Sequence, residues 1–358
     1  MIRARLQKLR GWMAASGVEA LLVTNRTNRR YLSGFTGTSG FLLVTGEHAV
    51  LFSDFRYRTQ AREQATEFEF VEHGQNPLDA LKDAAVRMKI GCLHFEAHDM
   101  SYENYAKHME QLTGIRFEPA PGKPVEALRI VKDEEELAVM REAAELADRT
   151  FRHMLGFLKP GVSEREAALE IEFFLRKNGA TSSSFDTIVA SGERSAMPHG
   201  VASDRVMGRG EFVTLDFGAY YKGYCSDLTR TVVLGPPTDR HREIYGIVRE
   251  AQESVLERIR PGMTGREADA IARGIITRRG YGDCFGHGTG HGLGMEIHEE
   301  PRLSLGGNTV LEPGMTVTVE PGIYIPGFGG VRIEDDIVIT AQGAEILTRA
   351  EKDLIVID

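Results

Sequence analysis

The sequence predicts an α/β (α+β) chain of two domains, the second built from a duplicated α/β unit. Three observations carry that prediction. Helical and strand-like patterns alternate through the first third of the chain. A proline-rich stretch then interrupts them at residues 118–126. After that break a nine-residue motif occurs twice, each time followed by the same kinds of element.

In the first third, residues 6–15 have the apolar spacing of an amphipathic helix. Residues 20–24 form a short apolar run, and residues 40–45 and 49–53 read as strands. A second helical pattern covers residues 77–88. The stretch "EPAPGKPVE" (118–126) holds three prolines and a glycine and reads as a linker, which sets domains at 1–124 and 125–358. Helix resumes in "KDEEELAVMREAAELADRTFRHMLGFL" (132–158), acidic in its first turn as the helix dipole favours.

The second domain repeats itself. "KPGVSEREA" (159–167) returns as "RPGMTGREA" (260–268), "RKNG" (176–179) as "TRRG" (277–280), and "VTLDFG" (213–218) as "VTVEPG" (317–322). Each half reads as Pro-Gly, a Ser or Thr cap, a helix and then strands. Two such halves are expected to meet about a pseudo-twofold axis with their strands adjacent.

Charge and composition exclude several classes. Lys plus Arg (43) against Asp plus Glu (52) gives a net charge of −9, which argues against nucleic acid as the main partner. No apolar run approaches the ~20 residues of a membrane span, and the amphipathic N-terminus lacks the apolar core of a signal peptide. Cys92, Cys225 and Cys284 form no CxxC pair, so no disulfide framework is expected and the expected compartment is the reducing cytoplasm.

Each half also carries acids on a hairpin-like stretch. Asp216 and Asp227 are placed symmetrically about a turn at "YYKGY", and Glu320 and Glu334 about Gly327. Facing residues of a hairpin lie a few ångströms apart, and like charges there repel unless something positive intervenes. These strands are otherwise full of Val, Ile, Leu and Phe, so the acids are expected to be buried, where they must neutralise, pair or bind a cation. Four carboxylates and one imidazole suit two divalent ions. "HGTGHGLGMEIHEEP" (287–301), three histidines and three glutamates among glycines, can supply the imidazole; its glycine density reads as loop rather than helix or strand. Cys225, two residues before Asp227, reads as a buried thiol. His73, His94, His98, His108 and His153 fit no constellation, and the glycines of 286–294 satisfy neither G-x-G-x-x-G nor a P-loop.

The motifs "NRRYLSGFTGTSG" (28–40), "SDFRY" (53–57), "LDFGAYYKGYCSDLTRT" (215–231), "GHGTGHGLGMEIHEEP" (286–301) and "TVEPGIYIPGFGGVRIEDD" (318–336) span most of the chain. Through them the sequence resembles the pita-bread metallopeptidases, in the branch of Xaa-Pro aminopeptidase (aminopeptidase P) and Xaa-Pro dipeptidase (prolidase). The resemblance implies a creatinase/prolidase-type N-terminal domain and a pita-bread catalytic domain. It also implies two divalent metal ions per chain on Asp216, Asp227, His291, Glu320 and Glu334. Asp227 and Glu334 would bridge both ions, Asp216 would hold one, and His291 with Glu320 the other. Carboxylate-rich ligation suits Mn2+, with Co2+ and Zn2+ as alternatives.

The same resemblance makes a hydroxide between the ions the nucleophile, with Glu320 passing its proton to the leaving proline nitrogen. His298 would steady the scissile carbonyl and the tetrahedral intermediate, and His199, in "AMPHGVAS", would contact the substrate carbonyl or amide. His287, Arg332 and Tyr324 are the implied substrate contacts, with His287 helping to form a proline pocket. Arg332 also stands near enough to Asp335 and Asp336 in sequence to neutralise them. The implied reaction cleaves the bond between an N-terminal residue and proline, dipeptides included. Proline lacks an amide hydrogen and fixes the backbone, so ordinary peptidases handle this bond badly. The alternatives are a strict Xaa-Pro dipeptidase and a non-catalytic binding module of the same fold, the latter at odds with five intact ligand positions. Methionine aminopeptidases usually lack this N-terminal domain, and creatinase lacks the ligands. Proline-containing peptides or dipeptides are the implied partners, and a homodimer is expected from the resemblance alone.

Overall fold

A mixed six-stranded sheet organises residues 1–129 in the computed structural model, which describes Met1–Asp358. Its strands are β1 (Ala20–Val23), β2 (Phe41–Thr45), β3 (Ala49–Ser53), β4 (Glu69–Glu72), β5 (Cys92–Phe95) and β6 (Arg116–Pro119), in spatial order β4-β3-β2-β1-β5-β6. β1 runs antiparallel to β2 and parallel to β5, and β5 is parallel to β6. Helices α1 (Ile2–Ser16), α2 (Arg26–Ser33), α3 (Arg58–Gln64), α4 (Pro77–Arg87), α5 (Tyr102–Gln111) and α6 (Pro124–Arg129) complete this unit. Leu22, Leu43, Phe52, Leu81, Leu93 and Phe117 are among the residues of its core.

The units divide after Arg129 rather than after residue 124. The cause is α6, which belongs to the first unit. The Arg129 guanidinium donates to Asn28 Oδ1 (2.8 Å), and Asn28 Nδ2 donates to Glu126 Oε1 (2.7 Å). Residues 118–126 are therefore the end of β6 and the start of a docked helix, not a free linker.

The second unit, residues 130–358, opens with α7 (Glu134–Phe157) and α8 (Glu164–Lys177). Strands β7 (Ser182–Ser183), β8 (Ile188–Ser191), β9 (Glu211–Phe217), β10 (Ala219–Tyr221), β11 (Tyr224–Cys225) and β12 (Leu228–Leu234) finish the first half. The second half runs α9 (Asp239–Arg258), α10 (Gly265–Arg278), β13 (Gly290–Gly292), β14 (Glu299–Leu303), β15 (Thr316–Val319), β16 (Gly322–Ile325), β17 (Gly329–Arg332), β18 (Asp335–Ile339) and β19 (Ala344–Ile346). A last strand, β20 (Val356–Ile357), returns to pair with β12.

The duplication holds at the level of single hydrogen bonds. Ser163 and Glu166 form a capping box at the start of α8, and Thr264 and Glu267 form the same box on α10; a cap of this kind contributes about 1 kcal/mol. Ahead of α8, Gly161 N donates to Met207 O and Met207 N to Val162 O. Ahead of α10, Gly262 N donates to Leu311 O and Leu311 N to Met263 O. Each half then folds a long hairpin, β9–β12 or β15–β18, with a small hairpin, β10–β11 or β16–β17, nested at its turn. Each half also keeps its own core, around Phe151, Ile171 and Leu215 in one and Ile244, Ile276 and Val317 in the other. Burial of each such side chain contributes about 1.5–3 kcal/mol. The halves meet through β12, where Glu334 N donates to Thr229 O (3.1 Å) and Thr231 Oγ1 to Arg332 O (3.0 Å). No helix is long and apolar enough to cross a membrane.

Candidate active site

The two long hairpins aim their acids at one point. In the second, Val319 pairs with Asp335 and Gly322 with Arg332, so Glu320 and Glu334 fall at facing positions in the gap between two ladders. Freed there from each other, their amides turn outward, Glu320 N to Thr289 O (2.7 Å) and Glu334 N to Thr229 O. The first hairpin differs from the sequence-based register. Asp216 faces Thr229, not Asp227, because Tyr221 pairs with Tyr224 around a turn at Lys222 and Gly223, both with positive φ. Asp227 is thus diagonal to Asp216 and two residues before Thr229 on its own strand.

The glycine-rich stretch is not all loop. Gly290, His291 and Gly292 form a strand between β14 and β15. Glycine is required because the neighbouring backbones press close: a Cβ on Gly290 would lie 2.0 Å from Thr318 O, and one on Gly292 2.2 Å from Glu300 O. This close packing carries the His291 ring to 3.7 Å from Asp227 Oδ2 and 3.4 Å from Glu320 Oε1, measured at Nε2. His291 Nδ1 donates to Gly292 O (3.1 Å), which leaves the Nε2 lone pair facing the carboxylates. Burial lowers the His291 pKa to about 3, so the ring is neutral at neutral pH, the form that binds metal.

The carboxylates show the opposite shift. Burial first, and then Glu334 and Asp216, push Asp227 far above the usual carboxylate range. Glu334 is raised by burial and by Glu320 and Asp216, and burial brings Glu320 up to about 7. Several of their oxygens have no partner at all: Asp216 Oδ1, Asp227 Oδ1 and Glu334 Oε1 are buried orphans. Unpaired buried acceptors are costly, and here three of them lie on acids grouped around a neutral imidazole. Asp227, His291 and Glu334 bring one ligand atom each within 4.8 Å of one another. The donor set therefore fits divalent cations.

The supports of these acids escaped the sequence reading. Thr229 Oγ1 donates to Glu334 Oε2 (2.6 Å), Asp336 Oδ2 accepts from Asp227 N (2.8 Å), and Thr318 Oγ1 donates to Glu320 Oε1 (3.2 Å). Arg230, 1% exposed, donates to Glu334 O and to Asp335 Oδ1 (2.8 Å). Their signal was the period of two: Thr229 follows Asp227, Thr318 precedes Glu320, and Asp336 follows Glu334, each by two residues.

Arg332 pairs with Asp216 rather than with Asp335 or Asp336, since those two face Arg230 and the Asp227 amide. It also donates to Tyr324 Oη (2.8 Å) and Thr229 Oγ1 (3.1 Å). His287 Nδ1 donates to Gly288 O (2.7 Å), so its Nε2 accepts from Tyr324 Oη (2.8 Å). Both nitrogens are committed, and burial with Arg332 nearby lowers the ring to about 4. His287 lines the site cavity with its polar atoms already engaged, and buried Tyr324 links it to Arg332.

A cavity of about 420 Å³ opens above these groups, lined by His199, His298 and Arg302 as well as by the acids, His291, His287 and Arg332. His298 stands edge-on to His291, ring centres 4.5 Å apart, and burial and Arg302 lower its pKa. Phe185, Ile188, Pro198, Val201 and Ile297 supply an apolar wall. Arg302 was absent from the sequence-based site. It is exposed and pairs with no carboxylate.

Buried acids with orphaned oxygens, a neutral imidazole and an open cavity define a divalent-metal enzyme. The chain belongs to metallopeptidase family M24, which residues 138–341 match; residues 5–131 match the creatinase/prolidase N-terminal domain. It is 38% identical over 360 residues to the Xaa-Pro dipeptidase of Pyrococcus horikoshii, covering 99% of each chain. The structure of an Xaa-Pro dipeptidase from Bacillus anthracis is 51% identical, with a TM-score of 0.97 over 99% of this chain and 100% of that one. That of an X-Pro aminopeptidase from Thermotoga maritima is 39% identical, with a TM-score of 0.91 over 96% and 99%.

Proposed function

We propose that the chain hydrolyses the bond between an N-terminal residue and proline, with Xaa-Pro dipeptides among its substrates. The observation that carries this reading is the set of orphaned oxygens on Asp216, Asp227 and Glu334 beside neutral His291. Asp216, Asp227, His291, Glu320 and Glu334 would hold two divalent ions, which would satisfy these oxygens. The oxygen-rich donors suit Mn2+, with Co2+ and Zn2+ as alternatives. Bound there, such ions polarise a carbonyl and make water acidic enough to ionise near neutral pH.

The chain's own groups do the rest. Glu320 takes the proton of the attacking water and delivers it to the leaving proline nitrogen. His298 and His199 face the cavity and donate to the oxygen on which charge develops. The apolar wall and His287 receive the proline ring. Arg302, cationic and without a carboxylate partner at the cavity, meets the C-terminal carboxylate that a dipeptide carries on the proline itself. A homodimer in the cytoplasm belongs to the same proposal.

His298→Ala is expected to lower kcat by about 10²-fold with little change in KM, the mark of a group that acts in the transition state. Steady-state kinetics check this; a rise in KM alone would reassign His298 to ground-state binding. Substrate length is read with Mn2+ on a matched pair, Ala-Pro and a longer peptide beginning Ala-Pro. Cleavage of both is expected, in keeping with the likeness to an X-Pro aminopeptidase; the likeness to Xaa-Pro dipeptidases favours a second reading, in which Ala-Pro alone is cleaved. Arg302→Ala is expected to cost the dipeptide about 10–100-fold in kcat/KM and to leave any cleavage of the longer peptide within about threefold. Equal losses on both would remove the carboxylate role, and cleavage of neither by the wild type would remove the proline assignment.

A further inference from the structure

The first unit contains two histidine clusters that the sequence does not reveal. One, Glu96 with His98 and Glu126, has all but one of its oxygens engaged in hydrogen bonds. Glu96 Oε2 accepts from Thr24 N and Asn25 N (both 2.8 Å) and Oε1 from Asn28 Nδ2 (2.6 Å), while His98 Nε2 meets Glu126 Oε1 at 2.6 Å. Both Glu96 oxygens are taken up in holding the start of α2, which leaves Glu126 Oε2 as the one orphaned oxygen of the cluster.

The other cluster is open. Cys92 and His94 are two residues apart on β5, so both side chains leave the same face of the sheet. Glu118 is the register partner of His94 on β6 and points to that face too. This is the face opposite Leu93, Phe95 and Phe117, which lie in the unit's core. The Cys92 Sγ lies 3.9 Å from His94 Nδ1 and 4.0 Å from Nε2. One ligand atom from each of the three residues lies within 4.8 Å of the others. Around a tetrahedral zinc ion, bond lengths of about 2.3 Å to sulfur and 2.0 Å to nitrogen set the two about 3.5 Å apart. The strand pair thus presents a thiol, an imidazole and a carboxylate at nearly that spacing, on a scaffold whose backbone is fixed by the ladder. Arg116 donates to Glu118 Oε1 (3.1 Å), which leaves Oε2 available. The Glu118 side chain is 47% exposed, so water can fill a fourth position.

We propose that Cys92, His94 and Glu118 form a second metal site, separate from the carboxylate centre, that takes a thiophilic divalent ion of the Zn2+ class. The selectivity follows from the donors. Thiolate and imidazole prefer Zn2+ or Co2+ over Mn2+, whereas the other centre is dominated by carboxylates. Burial and the Glu118 carboxylate push the Cys92 thiol up, so the ion competes with a proton and occupancy rises with pH.

The test is a Co2+ titration of the Mn2+-loaded enzyme, read by the near-ultraviolet charge-transfer absorption that only a thiolate–Co2+ bond gives. The expected result is a band that saturates at one equivalent per chain, is bleached by Zn2+, and is lost in Cys92→Ser. In His94→Ala, a partly exposed position that does not threaten the core, the apparent Kd for Co2+ rises at least tenfold. Peptide turnover stays unchanged in both variants. Absence of the band, or its survival in Cys92→Ser, overturns the proposal. So does an unaltered Kd in His94→Ala, which also decides the matter if Cys92→Ser fails to fold.

Discussion

Asp227→Asn is expected to lower kcat/KM by about 10³-fold or more and to reduce bound metal below two equivalents per chain. Asn is nearly isosteric and its backbone amide still reaches Asp336 Oδ2, so the hairpin geometry is kept. What disappears is a negative charge and a carboxylate that two ions would share. The same substitution has the opposite effect on the metal-free chain. There Asp227 is a buried acid raised by desolvation and by Glu334, Asp216 and Asp336, and neutralising it removes that repulsion. The metal-free variant should therefore melt above the metal-free wild type, and the Mn2+-loaded variant below the loaded wild type. Metal analysis, kinetics and two pairs of melting curves check this together. A variant that was merely damaged would melt lower in both states, and one that still held two ions at full activity would remove the shared-ligand role.

The parts of the molecule that could be read in advance are those where chemistry and periodicity coincide. The repeat was legible because Pro-Gly, a hydroxyl cap and Glu three residues later dictate the same local structure twice, and the paired backbone bonds at Gly161 and Gly262 are its outcome. Glu320 and Glu334 were placed opposite each other because symmetry about Gly327 is the true register of that hairpin. The same reasoning failed by one step at Asp216, since a two-residue turn with both residues at positive φ forms at Lys222-Gly223, and the glycine marks where it must fall. α2 was not visible: RTNRRYLS has no apolar stripe, and what starts it is Asn25 Oδ1 accepting from Thr27 N and Asn28 N. The strand at His291 was hidden by its glycines, which serve neighbouring backbones and not the strand itself. Arg302 could not be found because nothing local marks it; only the fold carries it to the rim beside His298.

Metal removal should reverse the sign of the protein's response to pH. In the metal-free chain Asp227, Glu334 and Glu320 have folded pKa values above those of free carboxyls, Glu320 at about 7 and the other two raised well beyond the ordinary range. The folded state then binds protons more tightly than the unfolded one. Their contribution to stability is complete below the unfolded value of about 4 and is lost as pH rises through the folded values. Glu96, raised to about 7 by burial, adds to the same trend from the first unit. Below about pH 6.5 the depressed pKa values of His291 and His287 oppose this trend, so Tm of the metal-free protein is expected to fall by about 5 °C or more between pH 6.5 and pH 8. With Mn2+ bound, the ionised carboxylates become ligands, and protons compete with the metal. Raising the pH then tightens binding, and an ion at a hundredfold above its Kd adds about 2.7 kcal/mol of stability. Tm of the loaded protein should hold or rise over the same interval. Calorimetric scans of both forms decide it. Asp227→Asn should flatten the metal-free slope but cannot abolish it, because Glu320 and Glu334 still titrate. A metal-free Tm that rises with pH would mean that these acids are hydrated in solution and that the cluster does not stand assembled before the metal arrives.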